Sequence, residues 1–118
     1  MIDDTFDLHV HDVALLCNVR DDTVREWLYQ GKIEYKKYPD ILPSIRISRI
    51  SLLEFSKNYH HGRYFIDEVM IKFVRNVPWM LKTNRPEFTD KMIDERIKKA
   101  LIEYKEERNA NQTNKSQL

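Results

Sequence analysis

Apolar side chains recur at helical spacing near the start of the chain. Val10, Val13, Ala14 and Cys17 fall at i, i+3, i+4 and i+7, which predicts a helix from about His9 to Cys17. Ala14 is small, as suits a point where two helices approach closely. Val19 follows in a short turn and is expected to point into the core. A second helix is predicted from Asp21 or Asp22, where carboxylates favour the positive end of the helix dipole. Val24, Trp27 and Leu28 form its apolar face, and Gly31 stands where a helix-ending glycine belongs.

The period then changes from 3.6 to 2. Ile33 and Tyr35 alternate with Glu34 and Lys36, and Ile45 and Ile47 alternate with Arg46 and Ser48, which predicts two strands. Pro39-Asp40-Ile41-Leu42-Pro43 between them is a turn-rich connector, so the pair reads as a β-hairpin. Ser48 is placed to cap a third helix from Arg49 to about Tyr59, with Ile50 and Leu53 turned inward and Leu52 and Phe55 as further candidates. His60-His61-Gly62 ends it. Ile66, Val69, Met70, Phe73 and Val77 make a narrow stripe on a fourth helix, which Pro78 kinks or ends. Trp79-Met80-Leu81 is an apolar cluster beyond it, and Thr83 to Phe88 is a polar connector. Thr89 caps a final helix with Ile93, Ile97, Ala100, Leu101 and Tyr104 as its stripe. Its other face carries Asp94–Lys98 and Glu95–Lys99 in the favourable order. From Asn109 the chain is polar and is expected to be disordered.

Composition narrows the class. With 118 residues and only two glycines, the chain suits one small, mainly α fold rather than a glycine-turned β fold. The net charge of +1 hides a gradient. Residues 1–19 hold Asp3, Asp4, Asp7 and Asp12 and no Lys or Arg, so residues 1–7 read as a polar, acidic arm. Residues 20–63 hold nine bases against six acids, a mild basic bias. The lone Cys17 can form no internal disulfide and sits in an apolar run, which fits a buried small side chain in a reducing compartment. There is no basic-then-apolar leader pattern, and no apolar run approaches the ~18 residues of a membrane-spanning helix. The expected setting is cytoplasmic, with no membrane partner.

Two short amphipathic helices joined by a tight turn are the helix-turn-helix pattern, whose second helix commonly enters the major groove of DNA. Residues 8–59 carry further marks: Val13-Ala14, Val19, Asp22-Thr23-Val24-Arg25-Glu26-Trp27-Leu28, Gly31-Lys32-Ile33, Arg46-Ile47-Ser48-Arg49 and Leu52-Leu53-Glu54-Phe55. In this order they resemble the winged helix-turn-helix of the excisionase and MerR-like families. The resemblance runs over about residues 8–59 and implies a winged helix-turn-helix domain, placed over residues 1–62; the apolar stripes and polar end beyond it predict a helical extension over 63–108 and a tail over 109–118. It implies that Thr23, Arg25, Glu26, Tyr29 and Gln30 face the groove of double-stranded DNA, and that Lys32, Lys36, Lys37, Arg46 and Arg49 face its backbone. Of the adjacent Lys36 and Lys37, at most one is expected to be well aimed, because neighbouring strand residues point to opposite faces. The wing tip, Pro-Asp-Ile-Leu-Pro, departs from the glycine-rich basic tip usual in that family and suits a protein contact better than a phosphate.

Other chemistry is sparse. His9/His11 and His60/His61 lack the partner spacing of a metal site and read as exposed histidines near helix ends. There is no phosphate loop, nucleophile motif or cofactor signature, so no metal, no cofactor and no enzymatic activity are expected. Phe65, Ile71, Val74, Trp79 and Met80 lie off the stripe of the fourth helix. That apolar excess is expected to form a surface for a second copy or a protein partner, with packing as extra core the alternative. The function implied is a non-enzymatic DNA-binding accessory protein of a bacterial mobile element, phage or plasmid, acting in recombination or transcription. The alternative is an adaptor subunit of a replication, priming or packaging complex, which docks proteins and contacts DNA weakly or as single strands.

Overall fold

The computed structural model describes residues 5–59, 64–85 and 87–116, the last eight of these by backbone alone. The order along the chain is α1 (Val10–Cys17), α2 (Asp21–Tyr29), β1 (Tyr35–Lys37), β2 (Ile45–Ile47), α3 (Arg49–Asn58), α4 (Glu68–Asn84) and α5 (Asp90–Ser116). The described residues are therefore mainly helical, with five helices and one two-stranded antiparallel sheet. None of these helices is long and apolar enough to cross a membrane.

The α1–α2 pair forms as its pattern predicts. Val10, Val13, Ala14, Leu15, Leu16 and Cys17 of α1 are buried, as are Val24, Trp27 and Leu28 of α2. Asn18 makes the turn with φ 55°, a left-handed conformation that Asn tolerates better than most residues. The Val19 N–H then closes on the Ala14 carbonyl at 3.0 Å, and Val19 is half-buried. At the far end of α2 the Gly31 N–H bonds to the Leu28 carbonyl and the Lys32 N–H to the Trp27 carbonyl, at 3.1 and 3.0 Å. This double closure needs a left-handed residue, and Gly31 supplies it at φ 75°. No heavy atom would crowd a Cβ there, so backbone conformation and not space requires the glycine.

The hairpin pairs Tyr35 with Ile47, Lys36 with Arg46 and Lys37 with Ile45. Ile33 lies before the strand but is buried. A further line of pairing was not legible in the sequence. Leu8 bridges Ile47 in antiparallel fashion, and both side chains are fully buried. The Arg49 N–H reaches the Thr5 carbonyl at 2.9 Å. Residues 5–7 thus belong to the fold, and the acidic arm expected over 1–7 is corrected for them; residues 1–4 lie outside the described residues. The reason is that Asp7 meets Arg49 in an ion pair instead of water.

Two packing faces differ from their periodicity. In α3 the buried residues are Leu52, Phe55 and Ser56, while Leu53 is half-buried and Ile50, expected inward, is 56% exposed. Ser48 does cap this helix, accepting from the Ser51 N–H at 3.1 Å. Buried Ser56 is satisfied by donating to the Leu53 carbonyl at 2.8 Å. His60, His61 and Gly62 lie outside the described residues.

In α4 the buried residues are Met70, Ile71 and Val74, and Val69 is exposed. Ile71 and Val74 are each 1% exposed, which overturns their assignment to a partner surface. Glu68 and Arg75, two turns apart on one edge of α4, pair with Arg49 and Asp12. Ile71 lies on that same edge and is buried, while Val69 is exposed. Pro78 does not end α4, which continues through Trp79, Met80 and Leu81 to Asn84. The connector shortens accordingly, and Pro86 within it lies outside the described residues.

In α5 Ile93, Ile97 and Leu101 are buried as the stripe predicts, and Ala100 and Tyr104 are half-buried. The Thr89 hydroxyl caps the helix by accepting from the Met92 N–H at 3.2 Å. The helix runs on to Ser116, into the stretch read as a disordered tail, and residues 117–118 lie outside the described residues. The chain divides into two compact units, Met1–Arg75 and Asn76–Leu118, so the division falls inside α4 and not at residue 62.

Trp27 and Leu52 anchor the first unit. Trp27→Ala is expected to cost ~3–5 kcal/mol and Leu52→Ala ~2–5 kcal/mol. Ile50→Ala should change stability by no more than about 0.5 kcal/mol. Thermal melts of the three variants check the α3 register. A larger loss at Ile50 than at Leu52 would reverse it.

Candidate nucleic-acid interface

The exposed face of α2 carries Arg25, Glu26, Tyr29 and Gln30, and Thr23 is half-buried beside them. These five lie together because α2 buries only its Val24–Trp27–Leu28 face. The face is not strongly basic. Asp22 stands between two arginines, 3.6 Å from Arg20 and 3.4 Å from Arg25. The Gln30 side-chain amide donates to Glu26 at 3.1 Å, and His11 meets Asp21 at 3.0 Å. All of these contacts are exposed, so they are weak and can exchange for a ligand at little cost.

The hairpin lies alongside. Pro43, Ser44 and Ile45 share a shallow groove of about 280 Å³ with Val10 and His11 of α1 and Asp21 and Arg25 of α2. Arg25 therefore sits where the second helix and the hairpin meet. Lys36 and Lys37 are both exposed. The Lys36 ammonium lies 4.4 Å from the Phe6 ring centroid. Lys32 donates to the Tyr59 hydroxyl at 2.6 Å. Leu42 at the hairpin tip is 90% exposed.

Two expected phosphate contacts are turned inward instead. Arg46 donates from Nη1 to Nε2 of His9. Arg49 donates to Asp7 and lies 3.7 Å from Glu68. The bond to Asp7 holds the Arg49 guanidinium above its ordinary pKa, so it stays charged. Arg46 Nε, Arg49 Nε and Asp7 Oδ1 are buried with no hydrogen-bond partner. Arg46 gives Nη1, and Arg49 both terminal nitrogens, to partners within the fold. The sequence could not show this, because Asp7 and His9 lie some forty residues from their partners.

His9 corrects a second reading, since it is half-buried and not an exposed residue at a helix end. Its backbone N–H donates to Asp12 Oδ2 at 3.0 Å, completing one side of the α1 cap. Asp12 Oδ2 also accepts from Arg75 at 3.3 Å. The network Arg46–His9–Asp12–Arg75 thus joins β2, the start of α1 and α4. For Nε2 to accept from Arg46, His9 must be neutral. Burial lowers its pKa first; Arg75 and Arg46 lower it further against the opposing pull of Asp12 and Asp7.

Of the expected partner-surface residues, Phe65 belongs to the first unit and is 37% exposed, while Trp79 and Met80 belong to the second and are 70% and 50% exposed. Cys17 is buried. No group of three His, Cys, Asp or Glu side chains is placed to hold a metal among the described residues. What sequence reasoning missed was the aromatic group of Trp27, Phe55, Tyr59 and Tyr64. Its signal was present as Phe55 and Tyr59, one helical turn apart.

The His9 shift has a pH consequence. Its folded pKa lies below the ordinary 6.5, so the unfolded chain binds the proton more readily. The stability due to neutral His9 is complete above pH 6.5 and is lost as pH falls through the lowered folded value. His9→Gln keeps an acceptor for Arg46 but cannot titrate. Between about pH 7.5 and about pH 5.5 the melting temperature of the wild type should fall more than that of the variant. Parallel curves would remove His9 as the cause. No protein-family model matches the chain, and no curated protein or solved structure matches it significantly.

Proposed function

We propose that this chain is a non-enzymatic DNA-binding accessory protein whose first unit is a winged helix-turn-helix, with α2 as recognition helix and the β1–β2 hairpin as wing. The observation that carries this reading is the shared position of Arg25, beside the hairpin and in the middle of the exposed α2 face. Arg25 is suited to bidentate contact with guanine, and Tyr29 and Gln30 extend the same face along the groove. Lys32 and Lys37 flank it as backbone contacts, with Lys36 as a third after it leaves Phe6. Arg46 and Arg49 are left out, because they hold the fold.

A second reading is favoured by specific observations. The acids Asp22 and Glu26 on α2, the apolar hairpin tip at Leu42 and the exposed Trp79 and Met80 all suit protein contact. In this reading the chain is an adaptor in a replication, priming or packaging complex. The two readings share a role for the second unit, in which Trp79 and Met80 engage a second copy or a protein partner.

Three or four neutralised phosphates correspond to a log–log salt slope of about −3 to −4 for duplex binding. Fluorescence anisotropy on a mixed-sequence duplex measures it. Absence of binding at low salt would leave the adaptor alone. Arg25→Ala should weaken binding to the preferred site by about 1–3 kcal/mol and leave the melting temperature nearly unchanged. If Arg25→Ala instead unfolds the protein, the exposed face of α2 has been misassigned. For the second unit, Trp79→Ala should lower either the self-association seen by light scattering or the capture of a partner. A variant matching the wild type in both would dismiss that surface.

A further inference from the structure

Beyond the C-terminal end of α2 lies a second surface that shares only Lys32 with the duplex reading. Phe55, Tyr59 and Tyr64 form a stack of near-parallel rings. Phe55 and Tyr59 are 4.6 Å apart at 20°, and Tyr64 lies 6.2 Å from each at 16° and 22°. Trp27 meets Tyr59 and Tyr64 edge-on at 6.1 and 5.2 Å and supports the stack from the core. Ser51, Glu54, Phe55 and Asn58 follow at i, i+3, i+4 and i+7 on α3. With Lys32 and Tyr59 they line a shallow groove of about 300 Å³. That is the lower end of small-ligand sites, with room for one flat ring system. The Lys32 ammonium lies 4.3 Å from the Tyr59 ring centroid.

We propose that this groove binds an unpaired base of a single-stranded nucleic acid, the base stacking on the Tyr59 ring and Lys32, now bonded to the Tyr59 hydroxyl, turning to the adjoining phosphate. The proposal rests on the nucleic-acid reading above and extends it to a second site and a second form of the polymer. The exchange is favourable in direction. Lys32 exchanges a hydrogen bond to a neutral hydroxyl for one to a charged phosphate oxygen. A base stacked on an aromatic ring contributes roughly 5–150-fold. The rim chemistry selects the same class of ligand. Lys32 and Glu54 cancel in charge, so the groove has no preference for a free anion or an acidic peptide. The Glu54 carboxylate and the Asn58 amide offer acceptors and donors to the edge of a flat heterocycle. Tyr59 is held in orientation by Phe55, so little ordering is needed on binding.

The test uses the full chain and a fluorescein-labelled single strand of about twelve nucleotides, read by anisotropy beside a duplex. Tyr59→Leu should lower single-strand affinity by roughly tenfold, and Tyr59→Phe should keep it within about twofold, because stacking needs the ring and not the hydroxyl. Duplex affinity should hold in both. Equal loss on duplex and single strand in Tyr59→Leu, or no loss on the single strand, overturns the proposal. A wild-type measurement guards against misfolded variants. Ultraviolet crosslinking to a strand carrying 5-iododeoxyuridine should attach at Tyr59, and attachment only elsewhere overturns the proposal. Duplex binding without single-strand binding refutes this site alone. Absence of both refutes the nucleic-acid reading itself.

Discussion

The first unit depends on one short piece of backbone pairing, between Leu8 and Ile47. Two hydrogen bonds link them, from Leu8 N–H at 3.3 Å and from Ile47 N–H at 2.7 Å, and both side chains are fully buried. An isolated two-stranded hairpin is marginal in water. Here the segment before α1 adds a third line of pairing and brings the hairpin against the helices. The neighbouring residues then meet across the same junction. Asp7 takes Arg49, and His9 takes Arg46. Asp12 takes Arg75, and Arg49 also approaches Glu68 of α4.

That junction shapes what the surface can do. By drawing Arg46 and Arg49 inward it removes two cations from any phosphate-binding face. It leaves α2 with an exposed face on which Asp22 and Glu26 offset Arg20 and Arg25. On the proposed duplex reading, such a surface would rely on side-chain hydrogen bonds and shape more than on net charge, and its sequence-independent affinity would be low. The aromatic stack beside Lys32 has a different character. It offers ring surface at low net charge, which suits unpaired bases. The two surfaces lie toward opposite ends of α2, one by Asp21 and Arg25 and the other just after Gly31.

Local signals were strong where local physics decides. Helical spacing located α1 and α2, Gly31 marked the left-handed exit from α2, and Ser48 and Thr89 marked the helix starts they cap. Alternation located both strands to within two residues. The buried stripe of α5 also followed its period, because its flanks are charged and leave one apolar face. Register was harder wherever apolar residues surround the helix. In α4, positions 69, 70, 71, 73, 74 and 77 are all apolar, so periodicity allows two faces. In α3, Ile50 competes with Leu52 and Phe55 for the same reason.

The sequence by itself determined the element order, the helix caps and turns, and the exposed α2 residues, because each follows from interactions within a few positions of the chain. Tertiary structure alone decided that Ile71 and Val74 are buried, that Thr5–Leu8 joins the hairpin, that Arg46 and Arg49 are structural, and that Tyr59 and Tyr64 meet Phe55 and Trp27. The physical reason is separation along the chain. Arg46 lies 37 residues from His9, and Arg49 lies 42 from Asp7. A carboxylate and a guanidinium so far apart in sequence carry no mark of each other until backbone pairing brings them within a hydrogen bond.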